Sequence, residues 1–168
     1  MNIRVEKYSP EWQEKWDKFV IGHSRNGTIF HEQKFLSYHP QGKFKDASLL
    51  FLSEGKIVGV LPAAENGEKI ISSHPGSSAG GLIYEKRARL REVLLLLEAA
   101  IDHYKNLGAD VLELTLEEPI FSHPTDDEIR FLLWHRGFTI SEREISSCVD
   151  LREEKSWDYF GKKSNRSC

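Results

Sequence analysis

A glycine-rich stretch near the middle of the chain has the residue types of an anion-binding loop. Residues 74–81 read His-Pro-Gly-Ser-Ser-Ala-Gly-Gly. Glycines let backbone N–H groups approach a ligand closely, since no Cβ stands in the way. We therefore expect the loop to bind a phosphate or a carboxylate; the alternative is a turn that needs glycine only for a positive φ. The candidate ligand-binding residues are Gly76, Ser77, Ser78, Gly80 and Gly81.

Basic side chains crowd the region just after this loop. Lys86, Arg87, Arg89 and Arg91 lie where a long helix is expected to begin. The N-terminus of a helix already carries partial positive charge, so cations there are mildly unfavourable and their placement is informative. Arg87 therefore joins the candidate ligand-binding residues, with a solvated basic face as the alternative.

Three segments would position the loop. Residues 70–71 read as a strand before it, residues 87–107 form a leucine-rich helical pattern after it, and residues 111–116 alternate as a further strand. A helix that connects two neighbouring strands is a crossover connection. We therefore expect the two strands to lie parallel, with the helix on one face of the sheet.

The other elements follow from hydrophobic period and turn residues. Before the loop, the pattern predicts a strand at residues 3–5, a helix capped by Ser9, a short helix at 28–37, a hairpin at 48–61 that ends at Pro62, and a third antiparallel strand after Asn66-Gly67. After it, Thr125 and Glu128 form a capping-box pair for a helix that ends at Gly137, and residues 138–140 and 145–151 suggest two final strands. The predicted class is a mixed α/β (α+β) fold.

Length, composition and charge narrow the function classes. The 168 residues are 39% hydrophobic and 29% charged, as in globular domains, and we interpret residues 1–152 as one domain and 153–168 as a short polar tail. A formal charge of −3 disfavours DNA or other nucleic acid as a partner. Since no apolar run reaches membrane-spanning length and the N-terminus lacks a signal-peptide core, we expect a cytoplasmic protein.

Residues that often bind metals or form crosslinks are present but not paired. Cys148 and Cys168 form no Cys-x-x-Cys motif, and we interpret both as reduced thiols. The seven histidines show neither His-x-His nor His-x-x-x-His spacing. We therefore expect no metal site.

The order of the elements, β-α-α-β-β-β-α-β-α-β-β, resembles that of the GNAT acyltransferases. Five loose motifs carry the resemblance by their order: residues 27–31 (Gly-Thr-Ile-Phe-His), 48–63, 77–83 (Ser-Ser-Ala-Gly-Gly-Leu-Ile), 105–109 (Lys-Asn-Leu-Gly-Ala) and 134–138 (Trp-His-Arg-Gly-Phe). Within that superfamily the chain is most similar to the FemABX-like and polysaccharide-linked acyltransferases, typically built from two tandem GNAT domains. The resemblance implies a mostly antiparallel sheet flanked by helices, with one parallel pair that splays apart at the glycine-rich turn.

The resemblance also implies amide-forming acyl transfer. The donor in that family is acyl-CoA or an aminoacyl-tRNA, and the acceptor is an amine on a small molecule or a peptidoglycan precursor. GNAT relatives often place a water-activating carboxylate where Glu113 stands, and Glu117 and Glu118 follow at the mouth of the same strand, so these are the candidate catalytic bases. The candidate acceptor-binding residues, in or near the segment that resembles the family's acceptor edge, are His31, Lys43 and Lys45. For all of them the alternative is an ordinary surface role.

Two departures from the family pattern favour a second hypothesis, a binding or assembly module that has lost CoA binding. Acetyl-CoA-binding relatives run an Arg/Gln-x-x-Gly-x-Gly/Ala loop straight into the helix, whereas here residues 82–86 intervene. Many relatives also have an acid tyrosine where this chain has Leu133. Both departures suit the acceptor-binding half of a tandem protein, so we expect a homodimer or a second GNAT-like half as partner.

Overall fold

The glycine-rich loop joins two four-stranded sheets in a computed structural model that describes residues 2–40, 42–117 and 127–145. One compact unit comprises Met1–Phe138; in the described part of the second unit, residues 139–145, there is no helix or strand. The strands are β1 (Arg4–Lys7), β2 (Lys45–Asp46), β3 (Leu49–Ser53), β4 (Lys56–Leu61), β5 (Ala64–Glu65), β6 (Ile70–Ser72), β7 (Ile83–Tyr84) and β8 (Val111–Glu113). The α-helices are α1 (Gln13–Lys18), α2 (Gln33–Leu36), α3 (Leu90–Asn106) and α4 (Glu128–His135), with 3-10 turns at Pro10–Trp12 and Ile29–His31 and a π-helical turn at Phe19–His23.

The first sheet has the strand order β1-β3-β4-β7 and is antiparallel throughout. Its centre is the predicted hairpin of β3 and β4. Glu54 and Gly55 in the turn have φ values of 50° and 78°, as a two-residue type I′ connection requires. Pro62 follows the last residue of β4, where its missing N–H interrupts no strand pairing.

The second sheet, in the order β2-β5-β6-β8, contains the parallel pair. Ile70 lies opposite Val111, and Ser72 lies opposite Glu113. The connection from β6 to β8 includes α3, as the crossover rule predicts. The predicted parallel pair at Ile70 and Val111 is therefore confirmed, and the fold is the expected mixed, mostly antiparallel α+β architecture.

One face of α3 packs into the larger hydrophobic cluster, against residues of β3, β4 and β7. Val93, Leu97 and Tyr104 are all at most 2% exposed. The Tyr104 hydroxyl donates to the Ala47 carbonyl oxygen at 2.8 Å, so its polar atom is satisfied inside the core. The apolar stripe read from the sequence thus faces the core at Val93, Leu97 and Tyr104, while Leu90 and Leu107 at its two ends are exposed.

A smaller cluster lies around Trp16, which is fully buried on α1. Its indole N–H donates to the His31 carbonyl oxygen at 2.7 Å. This bond joins α1 to the segment before α2, and it places His31 directly beside the glycine-rich loop. The N-terminal helices therefore help to position the loop, although they lie far from it in sequence.

Four local predictions are wrong. The Ser9 hydroxyl donates to the Glu11 carboxylate and makes no cap bond to the backbone. The predicted helix at 28–37 is split into a 3-10 turn and α2, because Glu32 has the extended values φ −76° and ψ 133°. Glu128 begins α4 after Asp127, so it does not hold the third position of a capping box, and Thr125 lies outside the described residues. Residues 138–140 form no strand, whereas the strand predicted at 145–151 lies outside the described residues from 146 onward and stays a prediction.

Alanine at position 80 should destabilise the fold, since a Cβ there would lie 2.6 Å from the Ser73 carbonyl oxygen and 2.9 Å from its Oγ. Backbone must move to relieve such a contact, and we expect a loss of about 2 kcal/mol in the free energy of unfolding. Urea unfolding of Gly80→Ala measures it. Gly22→Ala is the matched control, because a Cβ there meets nothing within 4 Å. Equal stability of the two variants would contradict this account of the loop.

Candidate functional site

The glycine-rich loop does not lead into the long helix. Strand β7 separates the two and pairs with Gly59 and Val60 of β4. A strand of two residues has too little pattern to be recognised in a sequence. The predicted ligand-binding residues are therefore divided: the glycines precede β7 in the chain and Arg87 follows it. A ligand group bound at the start of α3 would contact residues 85–91.

Part of the loop continues the parallel pairing of β6 and β8. The Ser73 N–H donates to the Glu113 carbonyl oxygen, and the Gly80 N–H donates to the Thr115 carbonyl oxygen, both at 2.8 Å. The Ser73 hydroxyl accepts from the Thr115 N–H at 2.8 Å. Residues 74–79 bulge out of this ladder. Because the Gly80 N–H is already bonded within the sheet, it cannot also bind a ligand while the ladder is intact.

The tip of the loop rests on aromatic side chains. A Cβ on Gly76 would lie 3.1 Å from both the His39 ring and the Phe44 ring, so glycine fits where another residue would collide. Gly76 also has a φ of +82°. The Ser77 hydroxyl donates to the Ala79 carbonyl oxygen at 2.8 Å. Gly76 and Ser78 are exposed, whereas Gly80 and Gly81 are buried, so only the tip of the loop could touch a ligand.

Two imidazoles lie under this tip. The rings of His39 and His74 are nearly parallel, with centroids 6.1 Å apart, and Phe44 stands edge-on to both. Burial lowers the pKa of His74, and the neighbouring His39 lowers it further, while a backbone hydrogen bond at Pro75 opposes the change. A neutral His74 thus packs beneath the loop.

His31 is a structural residue and not a surface group for an acceptor. The side chain is fully buried. Its Nδ1 accepts from the Thr28 N–H at 2.9 Å, which leaves Nε2 protonated to donate to the Gly80 carbonyl oxygen at 3.0 Å. Burial lowers the pKa of His31 to about 4, although both backbone hydrogen bonds oppose the shift. We correct the predicted acceptor role accordingly: a neutral imidazole links the N-terminal segment to the loop.

Lys43 and Lys45, the two lysines predicted to bind an acceptor, have solvent-exposed side chains. The Lys43 ammonium lies 5.0 Å from the centre of the Phe44 ring. Lys45, in β2, forms an ion pair with Glu65 at 2.7 Å and is 73% exposed. No contact joins either ammonium group to His31 among the described residues, and an acceptor-binding role for the two lysines stays a prediction.

The start of α3 has the groups that an anion requires. The Arg87 and Arg91 side chains are exposed and bond to no other described residue. Glu92 accepts from the Arg89 N–H at 2.8 Å, while the N–H groups of Leu90 and Arg91 have no carbonyl partner within the helix. Positive side chains and outward N–H groups are therefore combined at the end of a 17-residue helix.

Of the three predicted carboxylates, Glu113 is exposed on β8. It accepts from the Ser72 hydroxyl at 2.6 Å, and that hydroxyl in turn accepts from the Asn66 side-chain amide at 3.0 Å. Glu117 is half-buried beyond the end of β8, where its carbonyl oxygen accepts from Arg130 at 2.6 Å. Glu118 lies outside the described residues.

The strands on either side of the glycine-rich loop belong to different sheets, since β6 pairs with β8 and β7 pairs with β4. On the side that faces away from β4, β7 pairs with the segment that follows the π-helical turn, through an antiparallel bridge between Ser24 and Glu85. The side chains of Arg25 and Asn26 contribute to this pairing. The sequence analysis singled out neither of these two residues. An Asn that pairs through its side chain leaves no periodic signal.

The described residues contain neither a metal-binding cluster nor a helix that could cross a membrane. Residues 2–40, 42–117 and 127–145 contain no group of three or more His, Cys, Asp or Glu side chains placed to hold a metal ion. None of the helices in these ranges has the length and apolarity that crossing a membrane requires. At the position where many relatives have an acid tyrosine, the Leu133 side chain is buried in α4 and offers no proton.

Several solved structures that align with the chain are acetyltransferases, although no protein-family model and no curated protein matches it. The ribosomal-protein-S18-alanine N-acetyltransferase of Escherichia coli aligns over 84% of this chain and 80% of its own, with 12% identity and a TM-score of 0.57. The aminoglycoside acetyltransferase AAC(6')-Iy, solved with a CoA-containing bisubstrate analogue, aligns over 88% and 98%, with 16% identity and a TM-score of 0.53. A GNAT-family acetyltransferase of Staphylococcus aureus aligns over 84% and 87%, with 14% identity and a TM-score of 0.50. At these identities the likeness is one of fold, and the chain has the GNAT acetyltransferase fold.

Proposed function

We propose that the protein is an N-acyltransferase that moves an acyl group from a CoA thioester to a primary amine. The observation that carries the proposal is that the strands on either side of the glycine-rich loop part into two sheets, β6 beside β8 and β7 beside β4, with the basic start of α3 following β7. A thioester donor needs an anion site for its phosphates and a place for its acyl end. We propose residues 85–91 for the first and the divergence of β7 from β8 for the second.

The chemistry needs few groups. The amine nitrogen attacks the thioester carbonyl, the C–N bond forms, the C–S bond breaks, and the amine's proton leaves while the thiolate gains one. Positioning and a backbone donor to the carbonyl oxygen supply most of the acceleration in such reactions. The proposed bases are Glu113 on β8 and Glu117, which follows four residues later in the chain. Leu133 has no proton to donate, so we propose that water protonates the leaving thiolate.

Two comparisons suggest which class of amine accepts the acyl group. The neighbours in structure include N-acetyltransferases named for aminoglycosides and for an alanine of a ribosomal protein, and both names imply an amine as acceptor. The resemblance in sequence to FemABX-like proteins adds a cell-wall amine, such as the lysine of a peptidoglycan precursor. Lys43 and Lys45 could attract the carboxylates of such a precursor.

A transfer assay tests the proposal. The protein is incubated with acetyl-CoA and, separately, an aminoglycoside, an alanine-terminated peptide and a lysine-containing peptidoglycan peptide, and the release of CoA thiol is followed. We expect one of these amines to raise thiol release at least tenfold above the hydrolysis rate. Replacing the residue that acts as the base, by Glu113→Gln or Glu117→Gln, should lower that rate about 100-fold, in line with typical contributions of general acid–base catalysis. No release with any amine, together with no binding of acetyl-CoA, would overturn the proposal.

The second candidate is a binding module without chemistry. It is favoured by the segment that covers β7 and by Leu133. In that case the triple variant Glu113→Gln, Glu117→Gln, Glu118→Gln would keep full biological activity, whereas the enzyme hypothesis predicts a folded but inactive protein.

A further inference from the structure

Two histidine rings beneath the glycine-rich loop each have a buried nitrogen without a hydrogen-bond partner among the described residues. These atoms are Nε2 of His39 and Nδ1 of His74. His74 is only 8% exposed, so its ring is packed within the fold. A neutral imidazole has one N–H and one nitrogen with a free lone pair. Because an unpaired N–H is costly to bury, the neutral form with its lone pair at the buried position suits both rings.

The loop tip, residues 75–78, lies on these two rings. A Cβ on Gly76 would be 3.1 Å from both the His39 ring and the Phe44 ring, so the backbone of the tip is in close contact with them. The rings of His39 and His74 are nearly parallel, with centroids 6.1 Å apart. The Ser77 N–H donates to the His74 carbonyl oxygen at 3.1 Å, which closes the turn at the tip. The position of the tip therefore depends on the state of the two imidazoles.

A proton on either ring would disturb this packing. It would place an N–H at a buried nitrogen that faces no acceptor among the described residues. A charge on one ring would also repel a charge on the other. In agreement, burial lowers the pKa of His74, and the neighbouring His39 lowers it further. Lifting the tip relieves both effects, since water then reaches the buried nitrogens.

The charged and titratable groups nearby do not offset these costs. On the elements next to the pair they are Lys34 and Tyr38 in and after α2, Lys43, Lys45 and Asp46 around β2, and Glu113 on β8. Three of them bond elsewhere, Lys45 to Glu65, Asp46 to Ser48 and Glu113 to Ser72.

The remaining neighbours are two cations and one ring. Lys34 and Lys43 are positive and so oppose a further positive charge. The Tyr38 ring lies 4.0 Å from the His39 ring and could attract a cation, but Tyr38 is 64% exposed, where such contacts are weak. Among the described residues, no carboxylate forms an ion pair with either imidazole. The surroundings therefore favour two neutral rings while the tip is in place.

We propose that His39 and His74 form a proton-operated latch for the loop tip, which lies on the rings while both are neutral and lifts when either takes up a proton. The latched tip binds fewer protons than the released tip, so acidification favours release. Gly76 and Ser78 are the exposed residues of the tip, and any ligand contact that they make then depends on pH. No acyl donor takes part in this step, so the latch can fail while the proposed transfer reaction stands, and the reverse.

Amide hydrogen exchange by NMR at pH 7.5 and pH 5.5 tests the latch, with each rate divided by the intrinsic rate at that pH. The Ser77 amide should exchange about tenfold faster at pH 5.5, because a released imidazole with the ordinary pKa of about 6.5 shifts the opening equilibrium by that factor. In the double variant His39→Phe, His74→Phe, which keeps two aromatic rings but cannot take up the proton, the acceleration should fall below threefold.

His103→Phe is the matched control. Burial lowers the pKa of this histidine as well, but it lies on α3 and not under the loop. This control should keep the full acceleration of Ser77 exchange. Equal acceleration in the unaltered chain and the double variant would overturn the latch.

A measurement on the unaltered chain covers the case in which the double variant does not fold. The imidazole signals of His74 should titrate with a midpoint below 6.5, and the amide signals of Gly76 and Ser78 should change with the same midpoint. A His74 midpoint at or above 6.5, or tip amides that do not respond to it, would equally overturn the latch.

Discussion

Replacing Arg87, Arg89 and Arg91 together with alanine is expected to weaken acetyl-CoA binding at least 100-fold. The Arg87 and Arg91 side chains are exposed and bond to no other described residue, so their removal breaks no contact within the described fold. Hydrogen bonds between charged groups contribute about 1.5–3 kcal/mol each, and two such losses already exceed a factor of 100. Titration calorimetry at low and moderate salt measures the effect, which should shrink as salt screens the phosphates.

Lys34, Lys56 and Lys105 provide the control. All three are exposed and lie on α2, β4 and α3 outside the basic turn, and their replacement with alanine removes the same total charge. We expect less than a threefold change in affinity for this control. A similar loss in both triple variants would show that net charge attracts the donor and that the start of α3 is not its site.

Acid should destabilise the protein largely through His31. Burial lowers the pKa of its imidazole to about 4, against about 6.5 in an unfolded chain. Between these values the unfolded chain takes up a proton that the folded protein does not, so stability is fully present above pH 6.5 and is lost as the pH falls to about 4. The difference corresponds to about 3 kcal/mol.

Urea unfolding at pH 7 and at pH 4.5 measures this loss in the unaltered chain and in His31→Gln, which keeps a hydrogen-bonding group but does not titrate in this range. The variant should be less stable at pH 7 and should lose clearly less stability on acidification. Burial also lowers the pKa values of His74 and His103, so part of the acid sensitivity remains in the variant. An identical pH dependence in both proteins would contradict the assignment of a buried neutral His31.

The element order could be predicted from the sequence because each long element has its own signal. Three of these signals depend only on neighbours in the chain. They are the leucine stripe of α3, the alternation of Leu112 and Leu114 with Glu113, and the turn at Glu54-Gly55. The parallel register of Ile70 with Val111 followed from the crossover between two strands. These features follow from local hydrophobic period and connection length.

The site was predicted less well because its bonds join residues distant in sequence. His31 and Gly80 are 49 residues apart, and Asn26 and Leu82 are 56 apart. A histidine in a loop looks the same whether its ring faces solvent or a buried carbonyl oxygen. β7 has only two residues, so the sequence showed that residues 82–86 intervene before α3 but not that they contain a strand. Glycine at position 80 serves close packing against Ser73, a role that composition cannot separate from anion binding.

The most direct test of the account is to map acetyl-CoA binding on the backbone amides by NMR titration. We predict saturable shifts at Leu90 and Arg91 at the start of α3, at Tyr84 on β7 and at Lys86 just after it, with the hairpin turn at Gly55 unaffected. Saturable binding that leaves residues 82–91 unchanged, or no binding at millimolar acetyl-CoA, would contradict it.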